Sequence, residues 1–234
     1  MLQFALGVLA PFVTEEFSLT RAQYGSAVSA LFLSAVIVSL QAGRIVGRWG
    51  ATRLLWMLYA TAITAFVAVA LSPAWAWVLL GAVLMGIPLG LGNPVTNQLI
   101  VTRIGSSVQG TATGVKQSGV QIGALFAGLT LPPIAGAYGW RLAMGSVVVV
   151  ALIGLVLSLP LRRSGASDTG RHSPVGGTRV SPLALFLAGY AVLMGFGVSA
   201  VNAFLPLFGY EVLSIPASRV GLLISIVGFV GAAS

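Results

Sequence analysis

Long apolar runs divided by short polar gaps extend along the whole chain. The runs fall at 1–13, 24–43, 54–71, 75–101, 112–137, 142–161, 183–209 and 219–234. A bilayer core about 30 Å thick takes roughly 20 apolar residues of helix. The six inner runs meet that length and the two outer ones fall short. Sustained apolar runs without strand-like alternation predict an all-α membrane protein with about seven to eight transmembrane helices. The longest gap, 162–181, is rich in Gly, Ser, Thr, Arg and Pro and reads as a flexible linker. Trp49, Trp56, Trp75, Trp77, Tyr138, Trp140 and Tyr210 collect near run ends and read as headgroup-level anchors.

Charge sorts the gaps into two alternating sets. One set holds Arg44, Arg48, Arg53, Arg103, Arg162, Arg163, Arg171 and Arg179 against a single acid, Asp168. The other holds Arg21, Arg141 and Arg219 against Glu15, Glu16 and Glu211, and is formally neutral. The remaining cation, Lys116, lies inside an apolar run. This is the positive-inside pattern, so the gaps at 44–53, 102–111 and 162–181 are expected on the cytoplasmic side of the cell membrane.

Composition narrows the function classes. Charged residues make up 7% of the chain and hydrophobic ones 57%, against about 25% charged in soluble domains. The basic excess sits in short turns rather than along one polar face, which argues against nucleic acid and for anionic lipid headgroups. With no cysteine there is no disulfide framework, thiolate metal site or cysteine nucleophile. A Gly-Lys-Ser/Thr phosphate loop is absent, so a nucleotide-driven pump is unsupported. No catalytic residue, metal or cofactor is expected.

An internal repeat appears at an offset of 196 without a gap. Leu9 matches Leu205, Phe12 Phe208, Glu15 Glu211, Ser18 Ser214, Gly25 Gly221 and Ser29 Ser225. Both copies describe a helix end, an acidic loop and the next helix start. They lie six helices apart, hence in one orientation, as in transporters built from two parallel six-helix halves. The expected layout is an N-terminal half at 1–161, a cytoplasmic linker at 162–182 and the opening of a second half at 183–234. On this layout the chain is expected to be a fragment with its first helix cut short.

The stretch from Gly43 to Arg53 resembles the cytoplasmic signature of the major facilitator superfamily. That signature reads glycine, three residues, acid, basic, any, glycine, then basic residues. Gly43, Arg48, Gly50 and Arg53 fit it, and Gly47 stands where the family usually has aspartate. The family's acid takes part in a charge network that latches the cytoplasmic gate, and this chain lacks it. Tyr138-Gly139-Trp140-Arg141 at the fifth helix end is also similar to the family. Two family features are missing. Ala82 precedes Gly86 where an arginine is common, and the antiporter-type Gly-Pro pair is not reproduced, Pro132 and Pro133 standing near the helix end instead. The resemblance implies a helical bundle of parallel repeats that transports by alternating access.

Candidate chemistry is sparse and sits on three helices. Lys116 is the one ionisable group placed well within a run, which favours function, though its position near the cytoplasmic end also suits an ammonium reaching the interface. Gln117 and Gln121, with Thr113, line one sector beside it. On the fourth helix Asn93 and Asn97 flank Pro94, and either bond the carbonyl it frees or line a cavity. Asn202 is the candidate from the second half, equally suited to an interhelical hydrogen bond. Gly86 and Gly90 on the fourth helix, and Gly114, Gly119 and Gly123 on the fifth, offer small-residue faces for packing.

A cation among amides suits a small polar or anionic organic solute, so the leading reading is a secondary transporter. Hydrophobic-compound efflux is the alternative within the class. A membrane-embedded enzyme is the reading of another class, opposed by the lone His172 and the lack of intramembrane acids, as is a truncated, non-transporting protein. Expected partners are a small-molecule substrate and the lipid bilayer, with a coupling ion left open, and a monomer is expected. Reporter fusions check the topology: a cytoplasmic reporter after Arg171 is expected to be active and one after Ser72 inactive.

Overall fold

The computed structural model describes residues 2–162 and 182–233, and among them there is helix and no strand. Backbone groups in hydrocarbon have no water to bond, so each run satisfies its own as a helix. In order these are α1 (Leu2–Glu16), α2 (Arg21–Leu40), α3 (Ala42–Trp49), α4 (Ala51–Ala70), α5 (Trp75–Arg103), α6 (Gln109–Tyr138), α7 (Trp140–Leu157), α8 (Pro182–Glu211) and α9 (Gly221–Ala233). Short 3₁₀ turns at Ser106–Val108 and Leu159–Arg162 precede α6 and follow α7. Among the described residues α2, α4, α5, α6 and α7 are long and apolar enough to cross a membrane. Most of the expected linker, with Arg163, Asp168, Arg171, His172 and Arg179, lies outside the described residues.

One expected loop is helical. Residues 42–49 form α3, which buries Ala42 and Val46 against Leu54 and Leu58 of α4 and Leu91 and Val95 of α5. The signature glycine Gly50 then turns the chain into α4 at φ 75° and ψ 147°. Gly139 does the same between α6 and α7 at φ 88° and ψ 149°. That region is essentially closed to residues with a Cβ, so both glycines are required by the turns they make.

The helices pack α2 on α5, α5 on α4, α4 on α7, and α6 on both α7 and α1. Helices from the second part of the chain attach to this group, α8 along α1 and α9 along α6. One core of buried residues runs through the assembly, from Leu9 and Phe66 through Met85 to Met144 and Ile224. The repeat is visible in the backbone. Ser18 and Ser214, 196 positions apart, are the two non-glycine residues with positive φ among the described residues, at 49° and 54°. The same left-handed turn therefore closes α1 and α8, which is the geometry of a parallel repeat.

Small residues set the closest approaches. A Cβ at Gly86 would lie 2.6 Å from the Leu31 carbonyl oxygen, and one at Gly90 2.4 Å from that of Ala35. Ser34 Oγ donates to the Val83 carbonyl at 2.8 Å across the same α2–α5 seam. On the α6–α9 seam, a Cβ at Gly128 would lie 2.3 Å from the Gly221 oxygen, and Ser225 Oγ donates to the Leu125 carbonyl at 3.1 Å. Gly123 is buried on α6. Gly114 and Gly119 differ from expectation: a Cβ at either would meet nothing within 4 Å. The contacts of α9 begin near Gln121, so the earlier turn of α6 that carries Gly114 has no helix against that face among the described residues.

The acidic gaps fall at one end, and Glu16 and Glu211 pair with arginines there. Glu16 accepts from Trp140 Nε1 and from Arg141, whose Nη2 also donates to the Ser72 carbonyl at 2.9 Å. The Arg141 guanidinium stands 4.7 Å from the Trp140 ring centroid, and Phe17 packs edge-on to the same ring. Trp140, expected as a headgroup anchor, is instead only 4% exposed, because this cluster covers it. Arg21 at the start of α2 pairs with Glu211 at the end of α8 at 2.6 Å, so this ion pair joins the two parts of the chain.

Two outcomes follow from these contacts. Gly90→Val should destabilise the protein by about 1–3 kcal/mol, because the added carbons meet backbone that cannot yield, and thermal unfolding in detergent measures it. Partial burial raises the Glu16 carboxyl, but its bonds to Arg141 and Trp140 prevail and hold it below its usual value of 4.5. Its contribution is therefore present above that value and lost as pH falls through the depressed one. The stability difference between the protein and Glu16→Gln should shrink on acidification, and pH-dependent unfolding checks it.

Candidate functional site

The Arg-rich end differs in kind from the acidic end. The first turns of α6 and the last turns of α5 diverge there around an open cavity of about 460 Å³, lined by Asn97, Ile100, Val101, Gln109, Gly110 and Thr113. The α5–α6 turn that bounds it is closed by Gln109 Nε2, which donates to the Ile104 carbonyl at 3.0 Å. Thr113 returns its hydroxyl proton to the Gln109 carbonyl at 2.9 Å, one turn back.

Lys116 stands two turns into α6, about 10 Å from its start at 1.5 Å per residue. Its ammonium donates to Asn97 Oδ1 at 2.7 Å and to Asn93 Oδ1 at 3.1 Å. Asn93 and Asn97 are four apart on α5 and so share a face. Asn97 also lines the cavity, which places the ammonium beside it. The carboxamide of Asn93 therefore serves the lysine, and the ammonium turns to α5 rather than out to the interface. Neither acceptor is charged, and the acids among the described residues, Glu15, Glu16 and Glu211, belong to the other end. The cation has hydrogen bonds without a counter-charge.

The other candidates are not gathered here. Gln121 faces α9, where a Cβ at Gly231 would lie 2.8 Å from its Nε2. Gln117 is exposed on α6. Asn202 lies on α8 against α1, where a Cβ at Gly7 would meet its carbonyl oxygen at 2.5 Å. Its side chain is buried, with Oδ1 unpartnered, in a closed pocket shared with Leu6, Tyr24, Val28, Leu31, Phe32, Ser199 and Ala203. That pocket has no residue in common with the cavity beside Lys116. Tyr24 bounds it, its hydroxyl donating to the Leu6 carbonyl at 3.1 Å and its ring edge-on to Phe204 of α8.

Sequence reasoning placed Lys116 beside the glutamine stripe and Asn93 and Asn97 on a separate wall, without joining them. It also missed the Glu16–Arg141–Trp140 cluster and the Arg21–Glu211 pair. Their signal was the matched number of arginines and glutamates in the alternate gaps.

A bundle of apolar helices with a parallel repeat, and a polar cluster within it, defines a multi-pass helical membrane protein. The chain belongs to the Major Facilitator Superfamily, whose family model matches residues 1–234. It is 25% identical over 178 residues to the hexuronate transporter of Bacillus subtilis (strain 168), covering 76% of this chain and 42% of that protein. It is 32% identical over 151 residues to sugar carrier protein C of Ricinus communis, covering 62% and 28% respectively. It is 26% identical over 181 residues to the mouse (Mus musculus) solute carrier family 2, facilitated glucose transporter member 10, covering 76% and 34%. A crystal structure of a mutant of the peptide transporter POT in complex with sulfate superposes with a TM-score of 0.62 at 18% identity, over 98% of this chain and 48% of that one. The chain thus spans less than half the length of each of these proteins.

Proposed function

We propose that this chain is the solute-binding part of a secondary transporter that carries a small polar organic anion by alternating access, with its Arg-rich end in the cytoplasm. The observation that carries the reading is the Lys116 ammonium, held between two amide oxygens beside a cavity and lacking a counter-charge. An ammonium so placed is expensive to keep away from water. A carboxylate arriving through the cavity supplies the missing charge. Asn93 and Asn97 then turn their amide N–H groups or oxygens to the solute's hydroxyls. A cavity of this size suits a single small solute. The name of the Bacillus subtilis relative fits, since a hexuronate joins a carboxylate to a sugar's hydroxyls. Gln117, Gln121 and Asn202 are further candidates for contact as the halves rearrange.

Binding of labelled hexuronate and of the neutral hexose to the purified protein tests the proposal. Lys116→Met should weaken hexuronate binding roughly 10- to 100-fold, the scale of a hydrogen bond to a charged group, and should leave the hexose little changed. Equal binding of both solutes by the protein, or hexuronate binding indifferent to Lys116→Met, defeats it. Preferential binding of an apolar cation instead would favour the efflux reading.

A further inference from the structure

A second set of cations at the Arg-rich end is arranged differently from Lys116. On α3, Arg44 and Arg48 are four apart and exposed. At 100° per residue they point roughly opposite to Ala42 and Val46, the pair that α3 buries. Arg53 follows in the first turn of α4, its guanidinium 5.1 Å from the ring centroid of Trp49. Arg103, at the end of α5, donates from Nη2 to Thr52 Oγ1 at 3.0 Å. Four arginines from three helices thus lie at this one end. No described residue at this end is acidic, and position 47, beside Arg48, is an exposed glycine.

The apolar surface next to this face says what kind of anion it meets. Leu33, Ile37 and Leu40 form an exposed stripe on α2, rising to 83% exposure at Leu40, immediately before the turn into α3. Trp49, at the far end of α3, is 42% exposed, as aromatic rings at headgroup level are. A stripe that suits acyl chains runs up to a pair of arginines that suit a phosphate. Bidentate guanidinium–phosphate pairing is geometrically specific, which a free anion in bulk solution would exploit no better.

We propose that the exposed face of α3 is a binding site for one anionic phospholipid, with its phosphate on Arg44 and Arg48, Arg53 flanking it, and its chains along Leu33, Ile37 and Leu40. The lipid supplies a negative partner at an end where no described residue is acidic. It holds α3 flat on the bilayer surface while Ala42 and Val46 hold it to α4 and α5. An acid introduced at position 47 would compete for the same arginines.

The test is lipid retention. The protein is purified from a bilayer of equal parts phosphatidylglycerol and phosphatidylcholine, exchanged into detergent, and the bound phospholipid is quantified by mass spectrometry. Phosphatidylglycerol should be enriched over phosphatidylcholine. The double variant Arg44→Gln/Arg48→Gln should lower that enrichment roughly tenfold or more, the scale of two cationic side chains at an anionic surface. Gly47→Asp, at an exposed position, should lower it as well. Enrichment unchanged in the glutamine double variant or in Gly47→Asp overturns the proposal. Displacement of the lipid by inorganic phosphate also overturns it, by showing a free-anion site. Retained circular dichroism and a single chromatographic peak certify each variant as folded, and Gly47→Asp decides alone if the double variant fails that check. No transport or solute binding enters the measurement, so its failure leaves the carboxylate reading of Lys116 standing.

Discussion

Within lipid, helices gain nothing by hiding apolar surface from one another, so what holds them is close approach of backbone to backbone. That constraint organises this molecule. Gly86 and Gly90 admit α2 to α5, Gly128 and Gly221 admit α9 to α6, and Gly7 admits α8 to α1. Two of these seams pair the contact with polar help at short range, Ser34 to Val83 on α2–α5 and Ser225 to Leu125 on α9–α6. The α5 face carries this further. At 100° per residue Gly86, Gly90, Asn93 and Asn97 fall within an arc of about 60°. The same face that presses on α2 through its glycines continues, past Pro94, as the pair of amides that meets Lys116. Packing and chemistry occupy one stripe of one helix.

Charge is distributed as two unlike ends. At the acidic end Glu16 binds Arg141 and Trp140, and Glu211 binds Arg21. An exposed pair such as Arg21–Glu211 contributes at most about 1 kcal/mol. It joins α2 to α8 without welding them, which suits halves that must part if the protein works by alternating access. At the other end Lys116 meets amides and Arg53 a ring. Among the described residues, ion pairs thus gather at the acidic end, and Lys116 at the other end is met by neutral groups.

The apolar spans were legible in the sequence because hydrocarbon forces length and composition on every crossing helix. The repeat was legible as well, through Glu15 and Glu211 and through Ser18 and Ser214, and the left-handed serines show why: both close the same helix end. Helix α3 was not, since eight residues with two arginines and two glycines make no apolar run, and only packing against Leu54 and Leu91 reveals its amphipathic sides. Trp140 was read as an anchor because a tryptophan near a span end resembles one until the arginine and glutamate that bury it are in view. Small-residue spacing marked Gly90 and Gly114 alike, but spacing cannot say which faces find a neighbour. The Lys116 site crosses 19 and 23 residues of sequence, and no periodicity within either helix could report that its three members meet.

The depth of the two cation sites separates their ligands. On the proposed placement the arginines of α3 stand at the headgroup layer, where water and salt screen them and each charge adds a modest, additive attraction. Affinity there grows with the number of charges and favours a ligand that is already abundant and confined to the surface, as a phospholipid is. Lys116 stands about two helical turns into α6, half-buried beside the open cavity, where an ammonium without a charged partner among the described residues is dearer than in bulk water. Its amide partners lessen that penalty but, being neutral, cannot remove it. A small carboxylate that enters the cavity recovers the remainder in one step, so one charge at depth discriminates an acid from its neutral counterpart more sharply than several arginines do at the surface. The lysine is suited to choosing a solute, and the arginines to keeping a lipid.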